Sequence, residues 1–467
     1  MHQDRVRFSQ AALDALRTNF RGELIDPDHG RYDAARVVWN ARIDRRPALL
    51  ARCTGVADVL AAVRFAREQG AIVAVRGGGH DVAGNGVCEG GIVIDLSPMK
   101  GVRVDPTRRT VRAQAGLTWR ELDHETQAFG LATTGGQCSA TGVAGVTLGG
   151  GIGWLMRQHG LSIDNLLSVD LVTADGRLVT ASADENAELF WGLRGGGGNF
   201  GIVTEMELRL HPVEQVNVAM VFHPSTRFAD ALRFYQSFVA TEPEPMTSTL
   251  IHIELPAMPQ IPAHMHGTPG VIIAACYNGP NDAAEAAFAP LRAFGPPVGE
   301  LVSPMPYTAL QSMFDTAPAG AYGYGQCIRA RYVSTLGDEG IEALAAQLRA
   351  APSALCLFEI LHLGGAIARV DEDATAFPRR NAPFFAMFQS SWKDPADAER
   401  HIRWTQDAWE ATQPFASGGV YVNFLDDGEP AGRVQEAYGE AKMKRLAALK
   451  RAYDPTNFFR LNKNITP

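Results

Sequence analysis

The sequence predicts an α+β protein of two lobes, and three observations lead to this fold class. The chain has 467 residues, which is more than one hydrophobic core ordinarily holds. From about residue 46, short apolar strands alternate with amphipathic helices. After His211-Pro212-Val213 the glycine clusters stop and proline becomes more frequent, while strand-like and amphipathic runs still alternate. We therefore expect residues 214–419 to form an antiparallel sheet with helices on one side.

Two helices of the first part have clear end signals. Residues 56–70 place apolar side chains at helical spacing and finish on Gly70, which suits a C-cap. A second helix is predicted over 118–130, opened by Thr118 and closed by Gly130. The same part contains a strand over 71–80 that runs into a glycine loop, a buried strand over 91–96 and a hairpin over 169–181 that turns at Asp175-Gly176.

Composition and charge exclude several classes of function. The net charge of −8, without any run of Lys or Arg, argues against a nucleic-acid partner, because phosphate binding needs a basic face. No apolar stretch is long enough to span a membrane, and the N-terminus lacks the apolar core of a signal peptide. The six cysteines include no C-x-x-C pair, and no metal site is predicted. We expect a cytoplasmic protein, and the sequence assigns no oligomeric state.

Three glycine clusters are the most informative local feature, and they lie at residues 76–80, 149–153 and 195–201. Each is either a turn between strands or a place where backbone N–H groups approach a phosphate or a planar ring. Residues 196–201 fit the pattern G-x-G-x-x-G, but the following IVTEMELRLHP alternates like a strand where a dinucleotide-binding turn would open a helix. An NAD-type fold is therefore rejected, and no P-loop motif is present.

Several longer strings, in order along the chain, resemble one family of flavoproteins. They are VRGGGHDVAGNG, CSATGVAGVTLGGGIGW, LFWGLRGGGGNFGIVTEMELRLHP, YVNF and YDPTNFFRLNKNI. They are similar to the berberine bridge enzyme-like branch of the vanillyl-alcohol oxidase and p-cresol methylhydroxylase superfamily. The resemblance implies a two-lobed FAD-binding domain over 1–213, completed by 420–467, and a substrate-binding domain over 214–419, with FAD at their junction.

The resemblance also implies that FAD is attached to the protein through two bonds. The family's histidine at the position of His80 bonds the 8α-methyl carbon of the flavin, and doubly linked members carry a cysteine at the position of Cys138 that bonds C6. The alternatives are a structural imidazole for His80 and a buried apolar thiol for Cys138. Two bonds should hold the flavin firmly and raise its reduction potential, which suits poor hydride donors.

Further cofactor contacts follow from the same motifs. At the position of Thr141, related plant enzymes carry a medium-sized residue in oxidases and leucine where reactivity with oxygen is lost, so Thr141 favours an oxidase. The remaining expected cofactor contacts are Arg76, Gly77, Gly78, Gly79, Gly142, Gly145, Gly149, Gly150, Gly151, Gly153, Val203, Asn423 and Asn462.

The catalytic base is not evident from the sequence. Many members of the family use the second aromatic residue of a Y-x-N-Y string, but here the string reads Tyr421-Val422-Asn423-Phe424, and Phe424 cannot accept a proton. We expect residues 421–424 to form a strand, as we do the segment of Glu359 and His362. In a regular strand Tyr421 and Phe424 would face opposite sides, and so would Glu359 and His362. The candidate bases are Tyr421, Glu359, His362 and Tyr324, with Tyr322 as a further tyrosine of the same segment.

The predicted function is an FAD-dependent oxidase that transfers hydride from a small organic substrate to the flavin and then electrons to oxygen, giving hydrogen peroxide. An alcohol, a sugar or a secondary metabolite would serve as substrate. An amine or N-heterocycle is an alternative, because a neutral amine loses hydride without a base. The sequence is also compatible with a natural-product oxidative cyclase or dehydrogenase and, outside catalysis, with a protein that sequesters flavin or another ligand.

Overall fold

The computed structural model describes residues 8–315, 317–429 and 432–467. Residues 1–7, 316 and 430–431 belong to the predicted domains but lie outside the described residues. Among the described residues, no helix is both long enough and apolar enough to cross a membrane.

The first lobe consists of the elements up to residue 212 and the last segment of the chain. Its strands are β1 (Glu23–Ile25), β2 (Leu49–Arg52), β3 (Val73–Arg76), β4 (Ile92–Asp95), β5 (Val102–Asp105), β6 (Thr110–Gln114), β7 (Leu131–Ala132), β8 (Leu166–Val172), β9 (Leu178–Ser182), β10 (Ile202–Arg209) and β11 (His211–Pro212). Its helices are α1 (Gln10–Thr18), α2 (Tyr32–Ala35), α3 (Val56–Glu68), α4 (Trp119–Gln127), α5 (Val143–Gly149), α6 (Met156–His159) and α7 (Ala187–Leu193).

Two main sheets organise this lobe. A four-stranded sheet has the order β1-β2-β4-β3, with β2, β4 and β3 parallel. A five-stranded antiparallel sheet has the order β5-β6-β10-β8-β9, and β7 pairs with β11 in a separate ribbon. The core between them includes buried residues of the last segment, such as Val420, Leu446 and Ile465, so the end of the chain completes this lobe.

The local predictions for the first lobe are confirmed. Helix α3 ends before Gly70, whose φ of 60° is the left-handed conformation that a glycine C-cap provides. Helix α4 begins after Thr118, which forms a capping box with Glu121. The predicted hairpin is β8–β9, and the G-x-G-x-x-G segment leads into strand β10 instead of a helix.

The second lobe contains a seven-stranded sheet in which every neighbouring pair is antiparallel. Its order is β15-β12-β14-β13-β17-β18-β16. The strands are β12 (Gln215–Pro224), β13 (Met246–Glu254), β14 (Pro269–Tyr277), β15 (Gly299–Pro306), β16 (Gly325–Val333), β17 (Cys356–His362) and β18 (Phe384–Trp392). The helices are α8 (Phe228–Phe238), α9 (Asn281–Ala293), α10 (Tyr307–Ser312), α11 (Asp338–Arg349), α12 (Ala366–Arg369) and α13 (Ala398–Ala411).

The two faces of this sheet have different neighbours. Helices α8, α9, α11 and α13 bury one face, with Phe228, Phe288, Leu344 and Trp404 in a shared core. The other face packs against the first lobe. Because side chains alternate along each strand, every second residue of β13, β16, β17 and β18 points toward that junction. The prediction of an antiparallel sheet with helices on one side is therefore confirmed, and the helices on that side are the four long ones, α8, α9, α11 and α13.

The final helix, α14 (Arg433–Tyr453), has a kink at Gly439 and lies on the first lobe. Before it, the strand predicted for residues 421–424 is wrong, because residues 422–424 form one turn of 3-10 helix. The backbone N–H of Phe424 donates to the carbonyl of Tyr421, and the Asn423 amide donates to the Val146 carbonyl at 3.1 Å. In a three-residue turn, residues i and i+3 share a face, so both aromatic rings face the junction.

Candidate active site

Two adjoining cavities lie at the junction of the lobes. The long cavity, about 290 Å³, is walled by the first lobe and the last segment of the chain. The inner cavity, about 200 Å³, lies between the first lobe and the second-lobe sheet. Six residues line both cavities and therefore mark the place where they meet: His80, Val82, Thr141, Val146, Asn423 and Phe424.

The first glycine cluster and Gly142 bring two loops into backbone contact. A Cβ on Gly78 would lie 2.5 Å from the Gly142 nitrogen, and a Cβ on Gly142 would lie 2.6 Å from the Gly78 nitrogen. Any side chain at either position would force the loops apart. This contact sets the segment after residue 80 beside the segment that carries residues 138–141, and both then reach the cavities.

Arg76 stands at the start of the first loop and is nearly buried. Its Nη2 donates to Asp95 Oδ2 at 2.7 Å, which anchors the end of β3 to the end of β4. Because this guanidinium is already paired with Asp95, its main role is to stabilise the loop, and it does not offer a free charge to a ligand.

His80 lies at the meeting point of the cavities. Its imidazole stacks on the indole of Trp39, and the ring of Tyr322 meets it edge-on with centroids 5.4 Å apart. Its Nε2 is buried and has no hydrogen-bond partner among the described residues. Burial lowers the pKa of His80 to about 4, so the ring is neutral near pH 7. A neutral imidazole with an unoccupied ring nitrogen is a competent nucleophile.

Cys138 lines the inner cavity and is partly buried. Its Sγ donates to Asp315 Oδ1 at 3.1 Å. Burial first, and then the neighbouring carboxylate, raise the pKa of the Cys138 thiol to about 12. The sulfur is therefore a protonated thiol near pH 7 and needs a proton acceptor before it can act as a nucleophile.

The other expected cofactor contacts divide into two groups. Thr141, Gly142, Gly145, Val203, Asn423 and Asn462 line the long cavity, as do Arg76, Gly77, Gly78 and Gly79. Gly149, Gly150, Gly151 and Gly153 line neither cavity.

The middle glycine cluster packs closely against other parts of the chain. A Cβ on Gly149 would lie 2.0 Å from the Asn423 side chain, and a Cβ on Gly153 would lie 2.0 Å from the Gly135 carbonyl oxygen. A Cβ on Gly150 would clash with Phe377 in the same way, and a Cβ on Gly151 would clash with Ser162. On the Cβ side, the close approach that these glycines permit is therefore to protein atoms.

The third cluster does reach the long cavity. Gly196, Gly197, Gly198 and Gly201 line it, together with Lys463 from the end of the chain. The walls thus combine peptide groups of three glycine-bearing segments with a nearby cation, which suits an anionic, elongated ligand.

Among the candidate bases, Glu359 is buried and faces the inner cavity. It accepts hydrogen bonds from Gln137 Nε2 at 2.8 Å and from Thr249 Oγ1 at 3.0 Å. Burial raises the pKa of Glu359, and the two hydrogen bonds reduce that shift without cancelling it. A carboxylate with a raised pKa is suited to accept a proton from a substrate.

Tyr421 also lines the inner cavity. Its hydroxyl accepts hydrogen bonds from the Gly151 N–H at 2.9 Å and from Asn423 Nδ2 at 2.8 Å. Burial raises the pKa of Tyr421 above its usual value, despite these donors. The hydroxyl is therefore fixed in place and protonated near pH 7, with its ring edge-on to Phe424.

The other candidate bases line neither cavity. As strand parity predicts, His362 lies on the face of β17 opposite Glu359, where Nδ1 contacts the Glu242 carboxylate. The ring of Tyr324 lies against Lys393, and the Tyr322 hydroxyl donates to the Gly78 carbonyl from the outer side of the loop. The geometry leaves Glu359 and Tyr421 as the ionisable candidates in the inner cavity.

Sequence reasoning did not identify four polar or aromatic residues of the site. Gln137 and Gln389 line the inner cavity, Trp39 supports His80, and Asp315 contacts the Cys138 thiol. They come from four separate segments, and none belongs to a recognisable motif.

The rest of the inner cavity is apolar. Its further lining residues are Ile152, Ile251, Ile253, Phe314, Ala317, Ala319, Ile328, Leu357 and Met387. A bound molecule would therefore meet mostly hydrocarbon and aromatic surface, with a few polar groups to orient it.

Comparisons with known proteins agree with this architecture. Residues 47–182 match a family described as "FAD binding domain", and residues 420–466 match one described as "Berberine and berberine like". An FAD-linked oxidoreductase of Dictyostelium discoideum is 32% identical over 433 residues, which cover 92% of this chain and 91% of that protein. The (R)-6-hydroxynicotine oxidase of Paenarthrobacter nicotinovorans is 30% identical over 470 residues, with 96% and 97% covered.

Solved structures give the same picture. The 6-hydroxy-D-nicotine oxidase of Arthrobacter nicotinovorans superposes with a TM-score of 0.86 at 29% identity, covering 96% of this chain and 98% of that one. A chitooligosaccharide oxidase shares the fold, with a TM-score of 0.84 at 22% identity and coverage of 98% and 100%.

Proposed function

The chain belongs to the berberine bridge enzyme-like family of FAD-linked oxidoreductases, and we propose that it is an oxidase whose FAD is bonded to both His80 and Cys138. FAD binding follows from the family. The side chains at the cavities support the two bonds and the substrate class.

The long cavity fits the extended part of FAD. Peptide groups of the glycine loops at 77–79, 142–145 and 196–198 line it, and such groups can approach phosphate oxygens without a Cβ in the way. The flavin ring would then reach the point where the two cavities meet.

The observation that carries the proposed double linkage is the position of two nucleophiles at the inner cavity. His80 presents a neutral ring whose buried Nε2 has no partner among residues 8–315, 317–429 and 432–467, and Cys138 presents a thiol on the same cavity. A buried nitrogen without a partner is costly, and a covalent bond to the cofactor would remove that cost.

Bound FAD supplies an acceptor for hydride and passes the electrons on to oxygen. We propose that Glu359 accepts the proton that leaves the substrate, since it is the buried carboxylate of the inner cavity. Gln137 holds one of its oxygens by a hydrogen bond and so orients it. Tyr421, fixed by two donors, forms part of the cavity wall and positions Asn423.

The lining of the inner cavity favours an aromatic or N-heterocyclic substrate of modest size over an oligosaccharide. Each sugar hydroxyl that enters a closed site needs a hydrogen-bond partner, because an unpaired one loses its hydration without compensation. The polar side chains on this wall are few, chiefly Gln137, Glu359, Gln389 and Asn423, and the remaining surface is apolar. A ring compound with one ionisable or hydrogen-bonding group matches that pattern.

The test is anaerobic reduction of the purified holoprotein. Cyclic amines, N-heterocycles, benzylic alcohols and mono- or oligosaccharides would each be added under nitrogen while the flavin absorption is followed. We expect ring compounds to bleach the flavin, and air to restore the colour with release of one peroxide per flavin. Bleaching by sugars alone would contradict the substrate class.

The same experiment separates an oxidase from other activities of the family. Bleaching without rapid recolouring in air would indicate a dehydrogenase or an oxidative cyclase. Absence of bleaching by every class would contradict the proposed activity.

A further inference from the structure

Asp315 is the acidic group in contact with the Cys138 sulfur. Cys138 is on the first-lobe loop before α5, whereas Asp315 follows α10 of the second lobe. Asp315 Oδ1 accepts from Cys138 Sγ at 3.1 Å and from the Ala140 N–H at 3.3 Å. Oδ2 accepts from Ser139 Oγ and from Arg120 Nη2 at 2.7 Å. Both carboxylate oxygens are therefore aimed at the loop that carries the thiol.

We propose that Asp315 accepts the proton of the Cys138 thiol when the sulfur bonds the flavin. This inference rests on the double linkage proposed above. It assigns a role to a residue that takes part in forming the holoenzyme and not in turnover of substrate.

The protonation states at the site leave Asp315 available as the acceptor. Burial would raise the pKa of Asp315, but its hydrogen bonds, the largest from Ser139 and Arg120, together outweigh burial, and the net pKa is lowered. The carboxylate is therefore ionised near pH 7, while the thiol keeps its proton. A thiol attacks slowly unless its proton leaves as the new bond forms, so a carboxylate in contact with it accelerates the step.

The covalent step balances with oxygen as the oxidant. One S–H bond and one ring C–H bond break, and one S–C bond forms. The two electrons and two protons that are released reduce one molecule of oxygen to hydrogen peroxide. The thiol proton passes first to Asp315 and from there to solvent, the ring proton also passes to solvent, and two protons from solvent complete the hydrogen peroxide.

The accepted proton has a route out of the protein. Asp315 also lines an open cleft on the other side of the loop, with Arg120, Glu121 and His124. Arg120 is largely exposed there, with 65% of its side chain accessible, and holds the carboxylate by an ion pair. Asp315 thus connects the buried thiol with solvent.

His80 has no such requirement, because its ring is already neutral near pH 7. Loss of Asp315 should therefore affect the bond at Cys138 and leave the bond at His80 intact. Because Asp315 comes from the second lobe, it can assist the bond at Cys138 only once the two lobes are in contact.

The experiment compares flavin attachment in the wild type and in Asp315→Asn. Each holoprotein is denatured and digested with a protease. The masses of the peptides that contain His80 and Cys138 are then measured by mass spectrometry. We expect the two peptides to be cross-linked through one FAD in the wild type, and we expect flavin on the His80 peptide alone in the freshly purified variant, because the rate of thioether formation near pH 7 falls about 100-fold.

A pH series then separates proton transfer from packing. The singly linked variant is incubated in air at rising pH, and appearance of flavin on the Cys138 peptide is followed. Its rate should rise about tenfold per pH unit, because hydroxide replaces the missing base and the thiolate fraction grows by that factor. A rate that does not change with pH would overturn the proposal.

Two sets of controls complete the test. Ser139→Ala removes one hydrogen bond to the same carboxylate but leaves the thiol contact, and it should keep both linkages. Asp315→Glu and Asp315→Gln are matched in size. If the bond at Cys138 forms in Asp315→Glu but not in Asp315→Gln, the result supports proton acceptance by residue 315 even if Asp315→Asn does not fold.

The outcomes that contradict each idea are distinguishable. A wild type without flavin on the Cys138 peptide would refute the double linkage itself. A wild type with both bonds, alongside Asp315→Asn with both bonds at an unchanged rate, would refute only the role of Asp315. Equal loss in Ser139→Ala and Asp315→Asn would also refute it, because the carboxylate would then be structural.

Discussion

The imidazole of His80 lies nearly parallel to the indole of Trp39, with ring centroids 5.3 Å apart and planes inclined by 19°. Trp39 lies in the segment before β2, and His80 follows β3, so the stack joins two segments of the first lobe. The stack fixes the ring orientation, while Nε2 has no hydrogen-bond partner within the described part of the chain at the junction of the two cavities.

The double variant His80→Ala/Cys138→Ala should release its flavin on acid denaturation, whereas the wild type should keep it. Each single variant should retain flavin through the remaining bond. The measurement is the partition of yellow colour between pellet and supernatant after acid precipitation. Cys53→Ala is the control, because Cys53 is fully buried in the first-lobe core and should not affect attachment. Colour in the wild-type supernatant would contradict covalent attachment.

Glu359→Gln should lower kcat about 10²- to 10⁴-fold on a substrate that must lose a proton, with flavin content unchanged. Glu359 must be ionised to accept a proton, and burial raises its pKa. Turnover should therefore fall as the pH drops through a value above the ordinary range for glutamate, and this acidic limb should vanish in the variant. His362→Gln, on the opposite face of β17, should leave kcat nearly unchanged. An unaltered pH profile in Glu359→Gln would exclude Glu359 as the base.

Thr141→Leu should slow reoxidation of the flavin by oxygen about tenfold, which corresponds to about 1.4 kcal/mol in activation free energy. Thr141 lines both cavities, and a larger apolar side chain there would narrow the space where they meet. Reduction by substrate should change little. Stopped-flow measurement of both half-reactions tests this, with Thr141→Val as the control of nearly equal volume. Equal slowing of both half-reactions would point to a structural role, such as the hydrogen bond from Thr141 Oγ1 to the Cys138 carbonyl.

Protein stability should fall as the pH drops below about 6.5, partly because of His159 and His211. Their rings stack at 3.8 Å, and burial lowers the pKa to about 4 for His159 and to about 3 for His211. Between pH 6.5 and these values the unfolded chain binds protons that the folded chain does not, so stability rises with pH by about 1.4 kcal/mol per unit for each histidine.

His159→Phe removes one of the two titrations and should reduce this slope, as measured by urea unfolding at pH 7, 6 and 5. His264→Gln, at an exposed position, is the control and should leave the slope unchanged. The same slope in His159→Phe and in the wild type would mean that other groups dominate the pH dependence.

The sequence was sufficient where short-range chemistry decides the structure. The C-cap at Gly70, the capping box at Thr118 and the hairpin turn at Gly176 each depend on contacts within a few residues. The alternation of strand-like and amphipathic runs after residue 213 likewise predicted the antiparallel sheet with helices on one side, because the side-chain period of each run is a local property. The parity argument for Glu359 and His362 holds for the same reason.

The strand predicted for residues 421–424 failed for a long-range reason. The Asn423 amide donates a hydrogen bond to the Val146 carbonyl of α5, 277 positions earlier in the chain, and this contact favours a tight turn. The residues next to Asn423 in the sequence do not indicate that Val146 would be its partner. The middle glycine cluster shows a related limit, since glycine marks a close approach without revealing whether a ligand or another part of the chain approaches.

By itself the sequence determined the fold class, the helix ends and the glycine loop that leads to His80, because these depend on local backbone preference and on periodic burial. Only the tertiary structure decided that Glu359 and not His362 reaches the inner cavity, and that Asp315 of the second lobe meets Cys138 of the first. Such contacts join segments far apart in the chain, and their energies depend on burial and on the partner's charge, which exist only after the lobes have packed.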